Sequence, residues 1–118
     1  MFDIQKSEDF DIVFRVIYAE IAAGNIDEKR GSIIMQTLDA GRKLFTEIAG
    51  LRTLMKYIPE PEHTEPDKYT VIFNETLNQV LSDQMSAKTA LMLIKNLEKQ
   101  LRYSNELLCA RVNAILKS

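Results

Sequence analysis

All three prolines of this chain fall in one short segment, and their placement constrains the fold more than any other feature of the sequence. Pro59, Pro61 and Pro66 lie within residues 58–68 (IPEPEHTEPDK), and no proline occurs on either side of that stretch. A proline inside a helix removes a backbone hydrogen bond and clashes with the preceding turn. The prolines therefore predict a linker at about 58–67 between two segments that are each free to form long helices.

The first segment carries the start and stop signals of two helices joined by a tight turn. Ser7 is expected to cap a helix that runs to about Ala23. Asp27 is expected to cap a second, much longer helix that continues to about Tyr57. The signals predict an unequal helical hairpin over about residues 7–57.

The second segment repeats this plan. A third helix is expected over about residues 68–82, and Ser86 is expected to cap a fourth helix that runs to about Leu116. Together the signals predict an all-α four-helix bundle, built as a single domain from hairpins at about 7–57 and 68–117.

Apolar residues recur with near-heptad spacing on both long helices, which suits left-handed bundle packing. The stripe of the second helix consists of Ile34, Leu38, Gly41, Phe45, Ile48 and Met55. The stripe of the fourth helix consists of Ile94, Leu97, Leu101, Leu108, Val112 and Ile115. A short helix reaches along only part of its long partner, so the far half of each stripe needs another cover. We expect the other hairpin, in the same chain or in a second chain, to provide it.

The two hairpins align with each other at an offset of 59 residues, which matches Phe14 with Phe73. The turns correspond in kind, because GNIDEK aligns with DQMSAK and each places an apolar residue before a capping Asp or Ser. The offset also aligns two charged triplets, Asp39, Lys43, Glu47 and Glu98, Arg102, Glu106. We interpret the hairpins as pseudo-repeats; the alternative is that any two amphipathic hairpins of this length look alike.

The first helix carries a second apolar stripe outside its core face. Its residues are Ile12, Val16, Ala19 and Ala23, whereas the aligned residues of the third helix are Val71, Glu75, Asn78 and Ser82. An exposed apolar stripe is typical of a helix–helix interface, so we expect these residues of the first helix to mediate self-association as a homodimer. The alternatives are that Met1, Phe2 and Ile4 fold back over the stripe, or that a long helix covers it.

The sequence shows no motif that predicts catalysis or cofactor binding. Cys109, the only cysteine, is expected to pack in the core. His63, the only histidine, stands among acidic linker residues at a spacing that matches no defined metal site. Gly41 and Gly50 lie inside the second helix, where each glycine is unfavourable relative to alanine. A close crossing of another backbone would offset this cost at Gly41, and the sequence leaves open whether the helix is kinked or broken at Gly50. We expect a protein that is not an enzyme and holds no metal or cofactor.

Composition and charge limit the classes of partner. The chain has 118 residues, 46% of them hydrophobic, and a formal net charge of −2. Its apolar runs are far shorter than the roughly 20 residues of a spanning helix, so no membrane partner is expected. The balanced charge does not favour nucleic acid as the default partner. A single cysteine and an N-terminus unlike a signal peptide predict a cytoplasmic location.

The leading hypothesis is therefore a protein-interaction module that acts as an adaptor, regulator or structural subunit. We expect a partner protein to contact the basic side of the fourth helix, formed by Lys88, Lys95, Lys99 and Arg102. The turn GNIDEKRG resembles turns in small helical proteins of phages and mobile elements over about a dozen residues, and no function is transferred from this likeness. It leaves open, as an alternative, an inhibitor that blocks a host defence or regulatory complex. A second alternative is a nucleic-acid or nucleotide binder that uses the same basic residues.

Overall fold

The computed structural model describes residues 2–58 and 65–117, which form four helices and no strand. These are α1 (Asp9–Ala22), α2 (Glu28–Met55), α3 (Pro66–Leu81) and α4 (Ala87–Lys117). A short helix precedes a long one twice, and the four pack as an elongated bundle with extents of 59 × 24 × 18 Å. The predicted all-α bundle of two unequal hairpins is confirmed.

Two helices begin at the predicted caps and two do not. The Asp27 carboxylate accepts a hydrogen bond from the Arg30 N–H, and Ser86 Oγ accepts one from the Thr89 N–H. The predictions of caps at Asp27 and Ser86 are confirmed.

The predicted cap at Ser7 is wrong. The carboxylate of Asp9, at the start of α1, instead accepts hydrogen bonds from the N–H groups of Gln5 and Lys6. The third helix begins at Pro66 rather than at Lys68, because the missing N–H of a proline costs nothing in the first turn of a helix.

Both interhelical turns lie at the same end of the bundle. Arg30, in the first turn of α2, donates a hydrogen bond to the Val80 carbonyl near the end of α3. Its guanidinium also pairs with Asp83 at 2.8 Å, in the turn between α3 and α4. Because α2 and α4 both start at this end, they run parallel, and α1 and α3 run antiparallel to them.

The two turns have the same hydrogen-bond geometry. Gly24 has a φ of 80° in the first turn, and Asp83, which the 59-residue offset aligns with it, has a φ of 61° in the second. The backbone hydrogen bonds from Asn25 and Ile26 to Glu20 recur from Gln84 and Met85 to Gln79. However, such a left-handed helix end is a common connection, and α1 and α3 bury different faces. The pseudo-repeat therefore stays a prediction.

Three phenylalanines at the centre of the bundle join α1, α2 and α3. Phe10, Phe45 and Phe73 are buried, and their ring centroids lie 5.0 to 5.5 Å apart. Gly41 lies under this cluster, since a Cβ there would stand 2.5 Å from Phe73 Cζ and 3.1 Å from Phe10 Cε1. The close approach predicted at Gly41 comes from aromatic rings and not from another backbone.

The far halves of α2 and α4 cover each other over most of their apolar stripes within one chain, although Ile115 at the end of the α4 stripe is 54% exposed. Ile48 and Leu51 of α2 are buried, as are Leu101 and Val112 of α4. Asn105 links the two helices, because its Nδ2 donates to the Glu47 carbonyl at 2.8 Å.

The second helix is not broken at Gly50. Helix α2 continues through it to Met55. A Cβ at Gly50 would meet only Asn105 Nδ2, at an ordinary contact distance of 3.6 Å.

Candidate functional site: two outer helix faces and a basic groove

The outer face of α1, formed by Ile12, Val16, Ala19 and Ala23, is open to solvent in the described part of the chain. Ile12 is 64% exposed and Val16 is 40% exposed, and both alanines are exposed. On the opposite side of the helix, Phe10, Val13 and Ile17 are buried against the core. Helix α1 is therefore apolar on two faces, and the bundle uses only one of them.

The N-terminal segment, residues 2–5, lies on α3 and leaves the α1 outer face uncovered. Ile4 exchanges two hydrogen bonds with the Asn74 side chain: its N–H donates to Oδ1 at 2.6 Å, and its carbonyl accepts from Nδ2 at 2.8 Å. Phe2 makes the same pair of bonds with Asn78, at 3.0 and 2.9 Å. The alternative that Phe2 and Ile4 cover the α1 stripe is wrong, and Met1 lies outside the described residues.

Sequence reasoning took the outer side of α3 for a water-facing surface and missed this arrangement. Ile4 is only 1% exposed, and Asn74 is 9% exposed. A detectable signal was present, because two asparagines stand one helical turn apart and two apolar residues alternate at Phe2 and Ile4. Neither pattern indicates on its own that the two would meet.

A groove of about 650 Å³ runs beside the N-terminal segment on α3. Its charged lining residues are Asp3, Asp67 and Glu75, and all three are acidic. The half-exposed side chain of Val71 contributes apolar surface. Thr70 also lines the groove, and its buried hydroxyl has no hydrogen-bond partner among residues 2–58 and 65–117.

The basic residues predicted on α4 divide into two places. Lys95, Lys99 and Arg102 line a groove of about 440 Å³ between α4 and α2, together with Lys43 of α2. Lys88 does not line this groove. Two carboxylates, Asp39 and Glu98, also line it, and Glu98 pairs with Arg102 at 3.5 Å. The α2–α4 groove thus gathers four cations and two anions, and α2 contributes Lys43 to it.

The remaining reactive side chains do not form a site in the described part of the chain. Cys109 is exposed, so the prediction that it packs in the core is wrong. His63 lies outside the described residues. Among those described, no cluster of His, Cys, Asp or Glu is arranged to hold a metal ion. None of the four helices is both long enough and apolar enough to span a membrane.

The sequence matches no protein-family model, no curated protein and no solved structure.

Proposed function

We propose that this protein is a non-enzymatic interaction module that self-associates through the α1 outer face. The exposure of Ile12 and Val16, on a helix whose other side is already packed, carries the proposal. Burying two such faces against each other removes apolar side chains from water. The face is only about three helical turns long, far smaller than a standard interface, so the dimer is weak and concentration-dependent. Reversible self-association of this kind suits an adaptor, a regulator or a structural subunit.

The flanking charges on α1 favour a parallel arrangement of the two helices. The four apolar residues of the α1 outer face fit a heptad pattern written abcdefg. Val16 and Ala23 occupy a positions, and Ile12 and Ala19 occupy d positions. This register places Arg15 at g and the half-buried Glu20 at the following e. In a parallel pair, a g residue faces the e residue five positions later on the other helix. Arg15 of each chain would then face Glu20 of the other, and such pairs set orientation in coiled coils.

The mass in solution tests the self-association, measured by light scattering over a concentration series. We expect wild type to approach the mass of a dimer and Val16→Glu to remain a monomer with unchanged helicity. This substitution introduces the residue that α3 carries at the aligned position, Glu75. The matched control is Val71→Glu, which adds the same charge at a valine that is 54% exposed on α3. A wild type that stays monomeric, or a dimer that Val16→Glu leaves intact, would refute the proposal.

A cross-linking experiment tests the orientation separately. In a Cys109→Ser background, a cysteine at position 19 (Ala19→Cys) lies opposite its own copy only in the parallel pair. We expect rapid disulfide-linked dimer under mild oxidation, and slow cross-linking for the control Ser32→Cys, an exposed position on α2. A light-scattering dimer without this cross-link would reject the parallel register and keep the self-association.

A second candidate function is binding of a phosphate-bearing ligand in the α2–α4 groove. The convergence of Lys43, Lys95, Lys99 and Arg102 supports it, since cations on two helices surround one groove. A titration with duplex DNA over a salt series tests this function. We expect Lys99→Ala to weaken binding and Lys88→Ala, outside the groove, to leave it nearly unchanged. Absence of salt-dependent binding, or equal effects of the two variants, would remove this candidate.

A further inference from the structure

The contact between residues 2–5 and α3 is recognition of a main chain by side-chain amides. Asn74 and Asn78 each offer one donor and one acceptor, and each satisfies both backbone groups of a single residue. The spacing fits, because an extended chain advances roughly 6.6 Å over two residues and a helix advances about 6 Å over four. Asparagines one turn apart can therefore hold alternate residues of any extended chain. Backbone contacts of this kind give affinity, and a pocket such as that of Ile4 gives specificity.

The chain's own N-terminal segment leaves part of this surface unused. The segment runs antiparallel to α3, so the position after Asn78 and Asn74 is Thr70, one further turn toward the start of the helix. The segment does not reach it, because the Asp9 carboxylate draws the N–H groups of Gln5 and Lys6 into the turn that precedes α1. Thr70 lines the groove, and its hydroxyl is buried beneath that lining and has no partner among the described residues. A buried hydroxyl without a partner is unusual, and here it marks a place where a longer ligand would gain a hydrogen bond.

The charge of the segment is also unfavourable for this surface. Asp3 lines the same groove as Asp67 and Glu75, and no basic residue of the described ranges lines it. Arg52 pairs with Asp67, while Glu75 has no ion pair among residues 2–58 and 65–117. In an extended segment with Lys or Arg in place of Asp3, the cation would attract Asp67 and Glu75, which the Asp3 carboxylate repels.

From these observations we infer that the Asn74–Asn78 face of α3 is a docking site for an extended segment of a partner protein. The preferred segment has an aliphatic residue at the position of Ile4 and a basic residue immediately before it. Residues 2–5 act as an intramolecular pseudo-ligand that holds the site closed until a better segment displaces them. This site is distinct from the α1 outer face, and neither proposal depends on the other.

Two labelled peptides test the inference by fluorescence anisotropy against the full chain. The first has the chain's own sequence FDIQKSE, and the second, FKIQKSE, carries lysine at the position of Asp3. We expect Ile4→Ala, which loosens the tethered segment, to bind both peptides at least about tenfold more tightly than wild type, because the tethered segment competes less strongly. We also expect the lysine peptide to bind more tightly than the aspartate peptide. Adding Asn74→Leu, which keeps the shape of the side chain and removes its amide, should abolish binding.

Either of two results would overturn the inference. The first is that neither peptide binds saturably to Ile4→Ala at millimolar concentration. The second is that adding Asn74→Leu leaves the peptide affinity unchanged. If Ile4→Ala does not fold cooperatively, the lysine peptide is titrated into wild type and the side-chain NH₂ signals of Asn74 and Asn78 are followed by NMR. Absence of a shift at millimolar peptide would then overturn it. If wild type is a dimer and Ile4→Ala abolishes that dimer, the Asn74–Asn78 face binds the N-terminal segment of a second copy. That result would reject a partner protein as the ligand of this face.

Discussion

Two glycines of α2 offer a matched pair of substitutions whose effects should have opposite signs. Gly41→Ala places a methyl group 2.5 Å from Phe73 Cζ and 3.1 Å from Phe10 Cε1. The rings cannot move aside easily, because each packs against the other and against Phe45 at centroid distances of 5.0 to 5.5 Å. Gly50→Ala meets only the Asn105 side-chain amide at 3.6 Å.

The magnitudes follow from two opposing terms. Replacing a glycine by alanine inside a helix stabilises it by up to about 1 kcal/mol, because the unfolded chain loses freedom. Overpacking a tight core costs roughly 1–3 kcal/mol. For Gly41→Ala the second term is larger, and we expect a net loss of about 1–2 kcal/mol in the free energy of unfolding. For Gly50→Ala only the first term acts, and we expect a gain of roughly 0.5–1 kcal/mol.

Urea unfolding followed by circular dichroism at 222 nm measures both values. With a slope of roughly 1.5 kcal/mol/M, the midpoint should fall by about 1 M for Gly41→Ala and rise by about 0.5 M for Gly50→Ala. The slope itself should not change, because both variants expose the same surface on unfolding. Equal stabilisation by the two substitutions would show that the aromatic cluster does not require a glycine beneath it, and would refute the packing assigned to Phe73.

Three further predictions concern helix ends and one partly buried phenol. Asp27→Ala should lower the free energy of unfolding by about 1 kcal/mol, and Ser7→Ala should change it by less than about 0.5 kcal/mol, since only the first side chain caps a helix; equal losses in urea unfolding would contradict the caps. Gly24→Ala should cost roughly 1 kcal/mol despite open space around it, because φ is 80°, and Gly24→Asn should cost less; a neutral Gly24→Ala would argue against the left-handed turn. Partial burial raises the pKa of Tyr69 from its ordinary value of 10.0, so its contribution to stability is complete below pH 10 and is lost as pH rises through the folded-state pKa; Tyr69→Phe should remove that alkaline loss, measured by urea unfolding at a series of alkaline pH values, and an unchanged loss would contradict the assignment.

The sequence was sufficient for those features that depend on local rules. Proline placement and two capping side chains located three of the four helix starts to within two residues, since a cap is a contact between near neighbours. Ser7 misled because the carbonyls of Lys6, Ser7 and Glu8 accept the first N–H groups of α1, so this helix start uses no side-chain cap. At Pro66, the linker prediction extended too far, because proline is excluded from a helix interior and not from its first turn.

Features that depend on contacts between distant segments were not predictable in the same way. Gly41 and Gly50 are equivalent in a helical pattern, yet only the first lies beneath an aromatic ring, and the pattern contains no information on ring position. Lys43 joins the basic groove only because α2 and α4 run parallel and in register. Cys109 was assigned to the core from residue type alone, and its position on α4 proved to be exposed. In each case the missing quantity was the rotation of one helix relative to its neighbour.

The outer surfaces of the two short helices carry different chemistry, and this difference accounts for the binding of the N-terminal segment to α3. On α3 this surface carries Asn74 and Asn78, whereas the outer surface of α1 carries Ala19 and, beside the apolar stripe, Arg15. An extended chain laid on α1 would bury its backbone against a methyl group and a guanidinium that can donate but cannot accept, which leaves its N–H groups unsatisfied. On α3 both amides satisfy donor and acceptor together, so residues 2–5 select α3 and the α1 outer face remains free for another helix. An apolar helix face favours another helix as its partner, because a helix already satisfies its own backbone hydrogen bonds. A face that carries side-chain amides favours an extended chain, because the amides satisfy the backbone groups that an extended chain leaves unpaired.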